Sequence, residues 1–522
     1  MNLKTALLTG TLLLVGCSHK PAIQGVDGMA SQVPASSLFF IGADARDKMP
    51  KDFASKIDEA KEHSELAPSL ANLKNQLGGI DPLKVAKGFE PAGWAVVLDP
   101  TGKKNLKELA VVGALWVRDR QQAEAVLAEV AHNESPQKAD QNGKSVETYK
   151  AGFSACFSEP FLLVSNRADG IAAVLQRQGP SLAEDAGYQA AHSQMFQNQS
   201  MLFCYSPVNT SLAMASPEAP KKAEGLKFLA GGVGKDSPYR PKALLSLDPS
   251  AGGALVKNLL NPPASANGLA ANIPANWNFY MMMQLRYPLQ AINGVSPQSQ
   301  SEADSALKKF GTSAAQVDKA FEGDLALAFD LDQYFARMPQ GPPDGVVTWG
   351  LRNPAEFDNL WKLLCRSNGI QTRTSQNGAY KVEHFAQVPF LALAHQTKPN
   401  SAALLVLGSK PDELLGKLTN LKPGQTMKDS PALKSANSGS LMAVSYDLRN
   451  TTSQLKKLGL LNLSPELAPI KAALDNWSPE MWQGDLTVKV EKDGVTAEGN
   501  PVTMFIAAAF QGGFWYGFLG GQ

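Results

Sequence analysis

Short apolar runs bounded by turn-forming residues recur along most of the chain and predict β-strands. Residues 94–98 and 110–117 are two such runs, rich in β-branched or aromatic residues. The next segment has apolar residues at helical spacing, which predicts an amphipathic helix. These residues are Ala123, Val126, Leu127, Val130 and Ala131. Adjacent strands with intervening helices indicate an α+β fold with a mainly antiparallel sheet and the helices packed on one side.

Tight turns are predicted between several of these strands. Asn142-Gly143 and Asn377-Gly378 are residue pairs that adopt the positive φ angles of two-residue hairpin loops. Near the end of the chain, apolar and polar residues alternate over 486–490, and Asp493-Gly494 follows as a turn signal. The sequence therefore predicts a hairpin in this last segment as well.

The chain contains the same pattern twice, at a separation of about 240 residues. Val33-Pro34-Ala35 matches Ile273-Pro274-Ala275, and Ser200-Met201-Leu202 matches Ser440-Leu441-Met442. Further landmarks recur in order with small shifts: Phe89-Glu90 and Phe321-Glu322, Val111-Val112 and Val346-Val347, Gln141-Asn142-Gly143 and Gln376-Asn377-Gly378, Leu162-Leu163-Val164 and Leu404-Leu405-Val406. Because the order is kept, the sequence predicts a tandem duplication of one α+β unit.

The first residues have the pattern of an export signal. Lys4 precedes an apolar stretch, 6–15, that is too short to span a membrane. The stretch ends in Leu14-Val15-Gly16-Cys17, which resembles the lipobox of bacterial lipoproteins. The resemblance implies that Cys17 becomes the mature N-terminus and carries acyl chains, and Ser18 resembles an outer-membrane sorting signal. The alternative is an ordinary cleaved signal with an incidental cysteine.

The repeat and the changes in composition divide the chain into predicted segments. They are a signal peptide (1–16), a lipidated tether (17–32), the core of copy 1 (33–206), an extension and linker with exposed loops (207–272), the core of copy 2 (273–446), an extension with a hairpin (447–500) and a tail (501–522). The tail has no charged side chain and is rich in aromatic residues and glycine. Three interpretations of it remain open: a packed tail, a membrane-surface segment and a disordered end.

The charge balance limits the partners. The 522 residues include 49 Lys+Arg and 48 Asp+Glu, a net charge of +1, and removing Lys4 with the signal brings the side chains to neutrality. A chain without a strong positive field is not expected to bind nucleic acid. At 44% hydrophobic and 19% charged residues it is expected to fold.

Candidate chemistry is sparse. The six histidines form no metal-binding motif, and neither a nucleophile elbow nor a phosphate loop is present, so we expect no catalytic residue, no metal and no cofactor. Polar residues shared by both copies are the remaining candidates: Arg118 with Arg352, and Glu147 with Glu383. Each arginine is expected to end a strand and to pair locally or face water, unless arginine and glutamate converge in a pocket.

Three cysteines remain beyond Cys17. Cys156 and Cys204 lie in strand-like runs and Cys365 ends a helical run, and no CxxC spacing occurs. Buried free thiols are expected, and a Cys156–Cys204 disulfide stays open because an oxidising compartment permits it.

The order of the landmarks resembles an uncharacterised family of exported bacterial proteins known as a domain of unknown function. The motifs concerned are the proline before the first strand, the strand leading into Arg118-Asp119, and Leu162-Leu163-Val164 before a helix. The resemblance implies an α+β repeat fold and no known activity. Three functions remain open: a non-enzymatic, membrane-tethered envelope lipoprotein of the outer membrane that binds a protein partner or itself, a binder of an apolar ligand in a groove of the sheet, and an enzyme with a scattered site.

Overall fold

The computed structural model describes most of the chain between residues 24 and 500. The described segments are 24–48, 79–102, 108–132, 134–197, 199–208, 224–251, 267–284, 311–336, 341–399, 401–429, 440–458 and 482–500, with a few residues outside them. The predicted signal peptide, Cys17 and the 501–522 tail lie outside these residues. The chain divides into two compact units, Met1–Leu247 and Asp248–Gln522.

Unit 1 is built on an antiparallel sheet whose described strands follow the order β4-β5-β6-β7-β3-β2-β1-β8-β9-β10. Their bounds are β1 Phe39–Asp44, β2 Phe89–Leu98, β3 Ala110–Val117, β4 Gln137–Gln141, β5 Lys144–Tyr149, β6 Phe153–Ser158, β7 Phe161–Ser165, β8 Ser200–Pro207, β9 Leu226–Gly234 and β10 Ser237–Leu247. The described α-helices are α1 Gly25–Ala30, α2 Pro82–Gly88, α3 Arg120–Val130, α4 Ala168–Leu175 and α5 Ala186–Phe196.

Unit 2 repeats this topology strand by strand, in the order β14-β15-β16-β17-β13-β12-β11-β18-β19-β20. The strands are β11 Phe279–Gln284, β12 Phe321–Asp330, β13 Asp344–Leu351, β14 Thr372–Asn377, β15 Tyr380–Phe385, β16 Leu391–Gln396, β17 Ser401–Leu407, β18 Ser440–Asp447, β19 Gln483–Glu491 and β20 Gly494–Gly499. The described α-helices are α6 Ala314–Ala320, α7 Leu331–Ala336, α8 Pro354–Ser367, α9 Pro411–Thr419 and α10 Arg449–Leu458.

The duplication extends to the pairing register. Phe39 faces Val97 across β1 and β2, and Phe279 faces Phe329 across β11 and β12. A shift of the pairing by one residue would turn every side chain of a strand to the other face of the sheet. The shared register therefore means that both copies bury corresponding positions. The predicted α+β fold, with its duplicated antiparallel sheet, is confirmed.

Helices lie on both faces of the unit 1 sheet, whereas the sequence predicted one face. The larger core contains Trp116 together with residues of α1, α4 and α5. Leu115 packs instead with residues of α2 and α3 in a second core. Neighbouring residues of a strand point to opposite faces, which places these two helix groups on opposite sides. Both faces carry apolar residues, and each face therefore needs a cover.

Two local predictions differ from the structure. The second hairpin turn lies one residue later than predicted, because Asn377 pairs with Tyr380 and the loop is Gly378 and Ala379. In the extension after residue 207, where exposed loops were predicted, β9 and β10 form a long hairpin. Its glycines and prolines are compatible with strands because β9 packs its alternate residues, Phe228 and Ala230, into the core.

In the described segments, no helix is both long enough and apolar enough to span a bilayer.

The shifted turn predicts unequal effects of two equivalent mutations. Asn142 adopts φ 57° in the first hairpin loop, whereas Asn377 ends a regular strand. Asn142→Ala should lower the free energy of unfolding by about 1 kcal/mol. Alanine lacks the short polar side chain with which asparagine forms local hydrogen bonds in the left-handed backbone conformation. Asn377→Ala should change it by less than about 0.5 kcal/mol. Urea unfolding followed by tryptophan fluorescence would measure both, and equal losses would contradict this assignment of the turns.

Candidate functional site

The two shared arginines bind equivalent structural groups. Arg118 Nη1 donates to the carbonyl of Ala86 near the end of α2 (2.9 Å), and Arg352 Nη1 donates to that of Asp318 near the end of α6 (3.2 Å). Such contacts satisfy carbonyls that a helix end leaves unpaired. Arg118 also forms a buried ion pair with Glu90, with Nε and Oε1 3.3 Å apart. Both arginines therefore have partners on neighbouring elements.

The shared glutamates lie on the hairpins beyond these helices. Glu147 accepts hydrogen bonds from Tyr149 (2.6 Å) and lies 2.9 Å from Lys138 Nζ. Burial raises the pKa of Glu147, but the hydrogen bonds from Tyr149 and Lys138 outweigh it and lower the pKa overall. Glu383 likewise accepts from Thr374 (3.1 Å) and pairs with Lys381. Because these partners are local, the structure does not bring the arginines and glutamates together in a pocket.

Cys156, Cys204 and Cys365 are free thiols, so the Cys156–Cys204 disulfide that the sequence left open does not form. Cys156 lies on β6 and Cys204 on β8, and β7, β3, β2 and β1 run between them. Five strand spacings amount to ~24 Å. A disulfide needs Cα atoms within ~7 Å.

Sequence reasoning missed a polar chain around a buried histidine. His192 Nε2 lies 2.6 Å from Ser200 Oγ, and His192 Nδ1 lies 2.7 Å from Asp27 Oδ1. Tyr188 also donates to Asp27 (3.1 Å). No sequence signal marks this polar chain, because it depends on the register change at the start of β8, between Ser200 and Leu202. A bulge there turns Ser200 away from the face of Leu202 and towards α5.

The Asp27–His192–Ser200 set contains the side-chain types of a catalytic triad, but the wrong end of it is buried. Ser200 is only 2% exposed, whereas the side chain of Asp27 is 45% exposed. A catalytic serine has to reach its substrate, and here the carboxylate end is the open one. In addition, the Asp27 carboxylate does not lie along the N–H direction of His192 Nδ1. The chain therefore connects α1 to α5 and β8 without making a hydrolytic site.

Unit 2 has a second buried histidine in a different setting. His395 Nε2 lies 3.1 Å from Asp358 Oδ1, and Lys381 Nζ lies 2.8 Å from the same oxygen. These contacts connect α8 to β15 and β16 beside Glu383. Across the described segments, no group of three histidine, cysteine, aspartate or glutamate side chains could hold a metal ion.

The second face of the unit 1 sheet is apolar and partly open. We call it the Phe39 face. It is the side of β3, β2, β1, β8 and β9 opposite the larger core, and its members are Phe39, Ile41, Ala43, Gly93, Ala95, Val97, Val111, Gly113, Leu202, Cys204 and Leu229. Phe39 is 38% exposed and Leu229 is 50% exposed. Exposed large apolar residues on one face mark a binding surface more often than isolated ones do.

Small residues form a depression in the middle of the Phe39 face. Ala43 pairs with Gly93, and Ala95 pairs with both Ile41 and Gly113. These residues have side chains of one carbon or none, apart from Ile41. Around them stand larger side chains: Val97 and Phe39 on one side and Leu202 on the other. We call this strip of small residues the hollow; Ala43, Gly93 and Gly113 are buried and Ala95 is half-buried, whereas Phe39 at the rim is exposed.

In unit 2 the same hollow is filled by the chain itself. The registers equate the four small residues of unit 1 with large apolar ones; the pairs are Ala43 and Met283, Gly93 and Leu325, Ala95 and Leu327, Gly113 and Val347. Met283, Leu325 and Leu327 are buried in one core cluster, and Val347 packs against it. Unit 1 has about a dozen side-chain atoms fewer at these positions, so the side chains of its strands do not fill this part of the face as those of unit 2 do.

The Phe39 face has few polar groups. One of them is the hydroxyl of Ser206 on β8, which donates a hydrogen bond to the Leu38 carbonyl (2.8 Å). Burial raises the pKa of Cys204, so its thiol stays protonated and behaves as an apolar group. An occupant of this face has to be apolar where it touches the sheet.

Comparison with known proteins adds one distant likeness. No family model matches the chain, and no curated protein matches it. Crystal form IV of TP0453 is similar over 47% of this chain and 88% of that chain, with 10% identity and a TM-score of 0.24. Crystal form I covers 48% of this chain and 87% of that chain, with 13% identity and a TM-score of 0.23. At such TM-scores the likeness supports no argument about function.

The arginine contacts predict a difference between the two copies. Arg118→Ala should lower the free energy of unfolding by about 3 kcal/mol, because it removes one partner of a buried ion pair. Arg352→Ala should cost less than about 1 kcal/mol, because its hydrogen bond is exposed. Urea unfolding of the two variants would measure the difference. A larger loss in Arg352→Ala would show that Arg118 is not the more important anchor.

Proposed function

We propose that the protein is a non-enzymatic envelope lipoprotein that binds the acyl chain of a lipid on the Phe39 face of unit 1. The observation that carries the proposal is the hollow lined by Ala43, Gly93, Ala95 and Gly113, which unit 2 fills with its own side chains. A duplicated unit with the same register provides an internal reference for a filled face. Of the functions left open by the sequence, the binder of an apolar ligand is the one this difference supports.

The dimensions of the face suit a single acyl chain. From β3 through β2, β1 and β8 to β9, the face crosses four strand spacings, which is ~19 Å. One leaflet of a bilayer is ~15 Å of hydrocarbon, half of the ~30 Å core. An acyl chain can therefore lie across the strands without projecting beyond them. Each methylene that it buries would contribute ~0.8 kcal/mol.

The predicted anchor places such a binder beside its ligand. Residues 1–17 resemble a lipoprotein signal with Cys17 as the acylated residue, and α1, which follows the tether, contacts β1 and β8 of unit 1. A short tether of small and polar residues between Cys17 and α1 would hold unit 1 close to the membrane surface. An outer-membrane location, inferred from Ser18, is part of the proposal.

Filling the hollow should abolish binding. The variant Ala95→Leu with Gly113→Val introduces the residues of unit 2 at the same register positions. Its affinity for a dansyl-labelled fatty acid, measured by fluorescence and by displacement with palmitate, should fall at least tenfold, or about 1.4 kcal/mol. Phe39→Ser with Leu229→Ser should weaken binding less, because the rim alone is changed.

Two controls make this test specific. Leu364→Ser removes an exposed apolar side chain of α8 in unit 2 and should leave affinity unchanged. Circular dichroism and thermal unfolding of the filled variant would show that it folds. A correctly folded filled variant with wild-type affinity, or wild-type protein without saturable binding, would refute the acyl-chain proposal.

The anchor has its own test. Wild-type protein from cells grown with radiolabelled palmitate should carry the label. The Cys17→Ser variant should not, because the acyl chains would be attached through Cys17. Fractionation should move Cys17→Ser from the membrane to the soluble fraction. Equal labelling of the two proteins would contradict the lipoprotein assignment and would leave the Phe39 face to be judged by the binding experiment alone.

A further inference from the structure

The outer edge of the unit 1 sheet is a short, fully regular strand. β4 (Gln137–Gln141) pairs with β5 along its whole length and has no other partner among the described strands. Four of its five residues are exposed and the last is half-buried. An open edge presents unpaired backbone donors and acceptors to a second strand.

The hairpin geometry determines which backbone groups point outward. The loop Asn142-Gly143 is closed by Gln141 and Lys144, the residues that exchange the hydrogen bonds of a two-residue turn. Hydrogen-bonded and non-hydrogen-bonded pairs alternate along an antiparallel ladder. The amide and carbonyl groups of Gln141 and Ala139 therefore bond to β5, whereas those of Asp140 and Lys138 point away from the sheet.

A second copy of β4 meets these groups with the correct pattern and charge. In an antiparallel pair centred on Ala139, Lys138 of one copy stands opposite Asp140 of the other, and the reverse holds on the other side of the axis. The outward amides and carbonyls then face one another, which forms hydrogen-bonded pairs. Opposite charges directly across a ladder stabilise it, whereas like charges destabilise it.

We propose that two copies of this chain associate through β4, in an antiparallel, two-fold symmetric pair that joins the two unit 1 sheets. The inference is independent of ligand binding. Charge selects the partner, because a strand without a complementary Asp–Lys arrangement leaves Lys138 or Asp140 opposite a wrong charge or none. Lys138 already lies 2.9 Å from Glu147, so it would connect carboxylates of both copies.

The other edge strand of this type lacks the complementarity. β14 (Thr372–Asn377) is exposed at every residue and pairs only with β15 among the described strands. Its single charged residue is Arg373. An isologous β14 pair therefore gains no ion pair, which makes this strand a matched reference for the β4 edge.

The proposed contact is small, and its strength depends on confinement. Two five-residue strands bury far less than the ~1,200 Å² of a stable interface. Tethering both copies to one membrane surface raises their effective concentration and favours a weak symmetric contact. The association should therefore be detected on the full chain in the membrane.

Cysteine cross-linking at the two-fold axis tests the geometry. Ala139 would face its counterpart in a non-hydrogen-bonded pair with Cα atoms ~4.5 Å apart, within the range that a disulfide accepts. Full-length Ala139→Cys in membranes should give a covalent dimer after mild oxidation, at a yield several-fold above that of Ser375→Cys on β14. A yield no higher than that of Ser375→Cys would overturn the proposal.

Charge reversal tests the specificity in the Ala139→Cys background. Lys138→Asp alone and Asp140→Lys alone should each reduce the dimer yield several-fold, because like charges then face each other. Co-expression of these two variants with different tags should restore a mixed dimer, since each supplies what the other lacks. The double reversal in one chain should restore the self-pair. Single reversals without effect, or no rescue in the mixture, would refute pairing through β4.

Discussion

Both units depend on apolar packing against the two faces of one antiparallel sheet. Strand residues point alternately to either side, so a strand such as β3, apolar at nearly every position, creates two faces that water must not reach. Unit 1 covers one face with α1, α4 and α5 and the end of the other with α2 and α3. What remains is the Phe39 face. The functional proposal follows from this uneven covering.

The duplication separates what the fold requires from what one copy has changed. Arg118 and Arg352 satisfy equivalent helix-end carbonyls, so both copies need them for structure. The hollow residues behave differently, because the small side chains of unit 1 correspond to large ones at the same register positions of unit 2. A fold that tolerates either set does not explain why unit 1 keeps small residues. The proposed binding of an apolar chain would account for them.

Charged groups in the described segments mostly connect elements. The Asp27–His192–Ser200 chain joins α1 to α5 and β8, and Asp358 joins α8 to Lys381 and His395. Each crosses between a helix and the sheet, where an ion pair fixes one arrangement of two packed elements. A triad-like set of atoms thus arises from structural needs, and its burial distinguishes it from a catalytic one.

The sequence by itself determined the local elements, the hairpin turns to within one residue, and the duplication, because each depends on the period of apolar residues or on residues with unusual backbone preferences. The strands around Val112 and the helix after Asp119 were found in this way. Only the tertiary structure decided the rest: the second helix-covered face, the β9–β10 hairpin, the bulge at Ser200 and the hollow on the Phe39 face. These features depend on which strands become neighbours and in which register, and contacts between residues far apart in the chain set both.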